Sequence, residues 1–67
     1  MAVARVTEIT SASRTSFEDA INAGIARADQ TLRNVSGAWI QNMKVEIVKG
    51  KIVEYRVNMK VTFVLDG

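Results

Sequence analysis

One aromatic residue dominates the chemistry that this 67-residue chain can do. Trp39 is the only tryptophan, and it follows residues 35–38 (VSGA), where a helical pattern stops and a strand pattern begins. An indole held at such a junction can stack on a flat ligand or anchor against another copy of the chain, although a lone tryptophan more often packs in a core or an interface. The residue therefore points to recognition of a flat molecule or of a second subunit.

Arg56 is the strongest polar candidate for the same site. It lies in the last strand-like segment, on the face opposite to the apolar residues of that segment. A stacking ligand needs an aromatic plate and a few oriented polar groups, and Arg56 could bond the polar edge of such a ligand. A salt bridge between strands, for example to Glu46 or Glu54, is the structural alternative.

The residue types that are absent exclude most catalytic sites. There is no cysteine and no histidine, which rules out disulfides, thiolate zinc sites and every triad that needs imidazole. The carboxylates form no paired acid–base motif, and no glycine-rich phosphate loop or nucleophile elbow occurs. We therefore predict a binding protein and not an enzyme. Carboxylates alone could still hold a hard cation such as calcium or magnesium, so the sequence leaves a metal site open.

Charge and hydropathy give weak signals for large partners. The net charge is +2, from nine basic and seven acidic residues. The basic residues are scattered, so we predict no nucleic-acid partner. The first residues hold no long apolar run, so we predict neither a signal peptide nor a membrane span and expect a cytoplasmic protein.

A strand and a helix are predicted in the first half of the chain. Residues 3–10 are rich in β-branched types and predict a strand, followed by a polar loop at residues 11–14. Thr15 or Ser16 then caps a helix, and the spacing from Thr15 to Glu18 matches a capping box.

The helical pattern continues as far as Val35. Its apolar residues recur on one face, and Gly37 is placed to be the C-terminal cap. Gly24 inside this helix costs roughly 1 kcal/mol relative to alanine. A close approach of the helix to a sheet would offset that cost.

Two further strands are predicted in the second half. Residues 39–48 form the first of them, and Trp39 shares its alternation with Gln41, Met43, Val45 and Ile47. Residues 49–51 form a tight turn. Residues 53–65 then alternate strictly between apolar and polar types, so one sheet face is buried and the other is polar.

The resulting β-α-β-β chain predicts an α+β fold. A helical crossover would join the first strand to a parallel second strand, and the third strand would fit antiparallel between them. This gives a three-stranded, antiparallel-type sheet of order 1-3-2 wrapped around one helix. We expect residues 1–67 to form one domain, which at this length is only marginally stable alone. Its polar face and two edge strands favour self-association.

Over nearly its full length the sequence resembles the dodecins, a family of small flavin-binding proteins. No single motif is decisive, because the resemblance is carried by an ordered series of short stretches. These are residues 15–21 (TSFEDAI), 27–28 (RA), 31–35 (TLRNV), 38–39 (AW), 50–52 (GKI), 54–57 (EYRV) and 60–63 (KVTF).

The resemblance implies a hollow homododecamer of cubic symmetry, with pairs of flavins sandwiched between Trp39 side chains of two-fold-related subunits. It implies storage of riboflavin or FMN and quenching of flavin photochemistry rather than turnover. Arg56 would bond the polar edge of the ring. The backbone around Ala38 and the side chain of Lys44 would also lie near the ligand. Some relatives bind coenzyme A or divalent cations.

Two residues depart from the pattern of flavin-binding dodecins. Where Arg56 stands, such members commonly have a glutamine that donates to a ring carbonyl and accepts from the adjacent N–H. Arginine only donates, so that N–H would lack a partner, at a cost of about 1–3 kcal/mol. Some members place an arginine near the flavin phosphate where this chain has Glu46. That change favours riboflavin over FMN, although Lys44 or Arg56 could partly offset the repulsion.

A second hypothesis follows from these departures. The same kind of assembly could bind flavin poorly and serve as a structural, coenzyme A-binding or cation-binding protein.

Overall fold

A three-stranded sheet and one helix make up the fold. The structure, a computed structural model, describes residues 3–65. Its elements are β1 (Ala4–Ser13), α1 (Phe17–Thr31), β2 (Val35–Val48) and β3 (Lys51–Val64). The sheet order is β1-β3-β2, and β3 is antiparallel to both neighbours. The predicted β-α-β-β chain and the 1-3-2 order are therefore confirmed.

The helix is capped by Ser16. Its Oγ accepts a hydrogen bond of 3.0 Å from the backbone N–H of Asp19. The predicted capping box of Thr15 and Glu18 is wrong, because the N–H of Thr15 donates to Ser13 Oγ at 2.9 Å. That bond places Thr15 in the turn before the helix.

The helix ends earlier than its apolar pattern suggests. Leu32 is the C-cap, and its N–H donates to the carbonyl of Ala28 at 2.9 Å. The prediction that Gly37 caps the helix is wrong, since Gly37 lies inside β2. Asn34 instead adopts the left-handed conformation, with φ of 59°, which asparagine tolerates better than most residues. Its carbonyl accepts from the N–H of Val64 at 3.0 Å, which ties the reversal to the end of β3.

The first two strands are longer than predicted. The predicted loop at 11–14 is wrong for its first three residues, because β1 stays paired with β3 as far as Ser13 opposite Tyr55. The second strand begins at Val35 rather than at residue 39. Between β2 and β3 the reversal needs only Lys49 and Gly50, with φ of 52° and 77°, as in the two-residue hairpins that match strand twist.

The core lies between α1 and one face of the sheet, here called the helix-covered face. Val57, Met59 and Val61 of β3 are fully buried there. Gly24 permits this packing, since a Cβ on it would lie 2.9 Å from Met59 Cε and 3.0 Å from Ser11 Cβ. The predicted close approach of helix and sheet is confirmed.

Candidate functional site

Trp39 lies inside β2 and not at the helix–strand junction that the sequence suggests, because the strand begins four residues earlier. Its Cα is paired with that of Lys60 on β3. Paired residues point to the same side of a sheet, and Lys60 alternates with the buried Met59 and Val61. Trp39 therefore projects from the face opposite to the helix, here called the open face, where 60% of it is exposed.

A β-bulge at Gln41 determines this orientation. Ile40 is paired with Met59, whereas the next paired residue of β2 is Asn42, opposite Asn58. A bulge inserts one unpaired residue and so reverses the alternation along its strand. The prediction that Trp39 shares a face with Met43, Val45 and Ile47 is therefore wrong. Met43 is paired with the buried Val57 and faces the helix side.

The bulge brings the predicted site residues to one face. Lys44 is paired with Arg56, so both side chains project from the open face together with Trp39. Arg56 lies four residues before Lys60 on β3. Because Trp39 is paired with Lys60, Arg56 is about 13 Å from the level of Trp39 along the strand direction.

Side chains on the open face form ordered rows across the three strands. The first row is Glu8, Lys60 and Trp39; the second is Thr10, Asn58 and Asn42; the third is Ala12, Arg56 and Lys44. Since the second row separates the other two, any flat molecule that reaches from Trp39 to Arg56 passes over the second row, which holds Asn58 and Asn42.

Both predicted cations are held by carboxylates on their own strands. Arg56 Nη2 lies 2.7 Å from Glu54 Oε1, and Lys44 Nζ lies 3.3 Å from Glu46 Oε2. The expected salt bridge of Arg56 between strands thus forms within β3 instead. The hydrogen bond and the negative charge of Glu54 raise the pKa of Arg56, with a smaller contribution from Glu46. The guanidinium is therefore charged at every working pH.

Ala38 is oriented differently from the other predicted residues. It is paired with the buried Val61 and packs against the core. Only its backbone, next to Trp39, can border a ligand on the open face, which is the part that the sequence prediction named.

Asn58 is a site residue that sequence reasoning missed. It lines a pocket of about 270 Å³ on the open face with Thr10, Asn42, Lys44 and Arg56. Its Nδ2 donates to Thr10 Oγ1 at 3.4 Å, while its Oδ1 is buried and has no hydrogen-bond partner among residues 3–65. Strand alternation already placed Asn58 beside Arg56, but the row that it completes depends on the bulge.

The other aromatic residues have structural roles. Phe17 and Tyr55 pack edge to face on the helix side, with ring centroids 5.1 Å apart and an interplanar angle of 76°. Trp39 differs, because within the described part of the chain it makes no ring contact.

Other classes of site find little support in the described residues. Between residues 3 and 65, no group of three or more acidic side chains is placed to hold a metal ion. The helix found in the same range is too short and too polar to cross a lipid bilayer. The open face can therefore offer an aromatic plate, paired charges and amide groups to a flat polar molecule.

Known proteins similar to this chain share its fold over the whole length. The family model for Dodecin matches residues 3–66. A dodecin from Streptomyces davaonensis is 36% identical, with a TM-score of 0.93, and the match covers 98% of this chain and 97% of that one. A Thermus thermophilus dodecin with a tryptophan-to-phenylalanine substitution is 30% identical, with a TM-score of 0.93 and all of both chains covered.

One of the similar structures is of a calcium-binding protein. It is a calcium-chelating antigen from Mycobacterium tuberculosis, called calcium dodecin, with 28% identity and a TM-score of 0.82 over 96% of this chain and 91% of that one. No curated protein matches the sequence.

Proposed function

The chain belongs to the dodecin family, and from that premise we propose that it is a cytoplasmic flavin-storage protein and not an enzyme. Residues 1–67 act as one domain that assembles into a homododecamer. Riboflavin or FMN is held in stacked pairs between the Trp39 side chains of two subunits related by a two-fold axis.

The exposure of Trp39 is the observation that supports this proposal best. An indole with 60% of its surface exposed offers a large flat apolar area to a ligand or a second copy, because aromatic side chains carry much of the surface that binding can bury. A two-fold axis brings identical surfaces together, so two copies of Trp39 would face each other. The gap between two parallel indoles suits flat rings.

Polar groups of the open face would fix the orientation of the ring. Arg56 can donate to a ring carbonyl, and the carboxylate of Glu54 holds it in place. Lys44 lies near but is already paired with Glu46, so little positive charge is left for a phosphate. The chain should therefore prefer riboflavin to FMN.

Contact with an indole also explains how flavin photochemistry would be suppressed. Trp39 can donate an electron to a photoexcited flavin stacked on it, and rapid return of that electron releases the energy as heat. Fluorescence of the flavin is lost in the same process, which makes binding simple to measure.

A fluorescence titration tests the proposal directly. Micromolar protein added to riboflavin should quench the flavin emission, with a saturating stoichiometry of one flavin per chain. Size-exclusion chromatography of the same sample should show a particle of about twelve chains. Undiminished emission would count against flavin storage, and a monomer would remove the site itself.

A cation-binding assembly is the second candidate. The calcium dodecin of M. tuberculosis is similar to this chain, and Glu46 lies directly opposite Glu54 on the open face. Carboxylate oxygens are the ligands that calcium prefers, and several copies could contribute them around an axis. A large particle that ignores riboflavin but is stabilised against heat by millimolar calcium would favour this function.

A further inference from the structure

We propose that Asn58 is a further flavin-binding residue, whose side-chain oxygen accepts the hydrogen bond from the ring N–H that Arg56 cannot accept. The inference rests on the proposed function and concerns how this chain recognises the polar edge of the ring. In this chain Arg56 would donate to the ring and Asn58 would accept from it, whereas in other dodecins a single glutamine is implied to do both.

The position of Asn58 carries the first part of the argument. It lies on the central strand, in the row between Trp39 and Arg56. A three-ring ligand that stacks on Trp39 and reaches Arg56 with its polar edge therefore crosses the row that holds Asn58 and Asn42. Alternate residues of a strand are about 7 Å apart, and Arg56 and Asn58 line the same pocket.

The hydrogen bonding of Asn58 carries the second part. Its Oδ1 is buried, and the part of the chain that the structure describes supplies no donor to it. A buried acceptor without a partner costs about 1–3 kcal/mol, so a ligand that donates to this oxygen recovers that cost. Within residues 3–65 the side chain of Asn58 donates a hydrogen bond of 3.4 Å to Thr10, and its terminal torsion is a soft one. For a ligand in the pocket that Asn58 lines to reach this oxygen, the amide rotates about that torsion and the oxygen leaves its buried position.

The chemistry of the ligand edge carries the third part. The edge of an oxidised flavin presents a carbonyl, an N–H and a second carbonyl in sequence. Arginine has five donors and no acceptor, so Arg56 matches the carbonyls alone. Asn58 supplies the missing acceptor. Asn42 has the same side chain, but it is exposed to solvent, so it does not present a buried acceptor without a partner.

Two flavins, one with and one without the ring N–H at N3, test whether Asn58 accepts a hydrogen bond from the ligand. Riboflavin and N3-methylriboflavin differ only at the atom that would donate to Asn58. The unaltered protein should bind riboflavin about five- to tenfold more tightly, which is the net effect of one hydrogen bond. Dissociation constants come from quenching of flavin emission.

Substitutions at Asn58 separate hydrogen bonding from size. Asn58→Leu keeps the number and branching of the side-chain heavy atoms but removes the acceptor, so the two flavins should bind within about twofold of each other. Asn58→Asp keeps an acceptor and should retain the preference. Asn22→Ala, an exposed asparagine on α1, is the matched control and should behave like the unaltered protein. Asn58→Ser, whose short side chain withdraws from the pocket, serves if Asn58→Leu does not fold, and should also lose the preference.

The outcomes separate the two proposals. A preference for riboflavin that survives in Asn58→Leu or Asn58→Ser, or that is absent from the unaltered protein, overturns the role of Asn58 while flavin storage stands. Failure of the unaltered protein to quench either flavin overturns both.

Discussion

The two faces of the sheet are built from alternate residues of the same strand and have opposite properties. On the helix-covered face, Val57, Met59 and Val61 are fully buried by residues of their own chain. On the open face, Arg56 is exposed and Asn58 keeps an unsatisfied oxygen. One face is thus completed when a single chain folds. The other has unused hydrogen-bonding capacity and an exposed indole, which a ligand or a second copy can use.

Truncation of a side chain on the helix-covered face should have the largest effect on stability. Met59→Ala is expected to lower the free energy of unfolding by about 2–5 kcal/mol, because it removes a fully buried side chain and leaves a cavity. Thermal unfolding followed by circular dichroism measures the loss. Met43→Ala is the matched control, since Met43 points to the same side but is 52% exposed, and it should cost much less. Equal losses would show that the helix does not define the core.

Truncation of the aromatic plate should affect binding and not folding. Trp39→Ala is expected to weaken riboflavin binding about tenfold to a hundredfold, the range typical of stacking on one aromatic side chain. Trp39→Phe keeps a smaller aromatic ring, so its affinity for riboflavin should lie between those of the unaltered protein and Trp39→Ala. Quenching titrations give the affinities, and the unfolding temperature should fall far less than in Met59→Ala. A Trp39→Ala variant that binds riboflavin normally would move the ligand away from the open face.

The N-cap of α1, which lies on the helix-covered face, should make a smaller contribution to the free energy of unfolding. Ser16→Ala is expected to cost about 1 kcal/mol, because the N–H of Asp19 loses its acceptor. Thr15→Ala should cost less, since the backbone and not the side chain of Thr15 makes the observed bond. Urea denaturation compares the two variants. A larger loss in Thr15→Ala would restore the capping box that the sequence suggested.

The smallest effect is expected from the paired charges of the open face. Glu46→Gln frees Lys44 from its ion pair and removes a negative charge, so the affinity for FMN should rise by about two- to fivefold relative to riboflavin, in line with exposed ion pairs. Glu18→Gln on α1 is the control for the loss of one carboxylate. An unchanged ratio of the two affinities would place the phosphate far from Glu46.

The sequence predicted the fold better than the surroundings of the site. Strict alternation in β3 placed Arg56 opposite to the core, and the structure agrees. Alternation failed at Trp39, because a bulge depends on how two strands pair and not on the residues of one strand. The end of the helix was misplaced for a similar reason, since Asn34 reverses the chain through a bond to Val64. The roles of Trp39, Arg56, Lys44 and Ala38 toward flavin remain predictions.

The unpaired Gln41 has a consequence for how such a binding surface can be lost or gained. It is one extra residue between Trp39 and Lys44, so the identity of its side chain matters less than its position outside the ladder. Deleting this one position would join Ile40 to Asn42 in a regular ladder and leave Trp39 opposite Lys60 and Lys44 opposite Arg56. Loss of a single codon here therefore preserves the surface, whereas pairing the extra residue in the ladder would turn the indole and Lys44 to opposite faces.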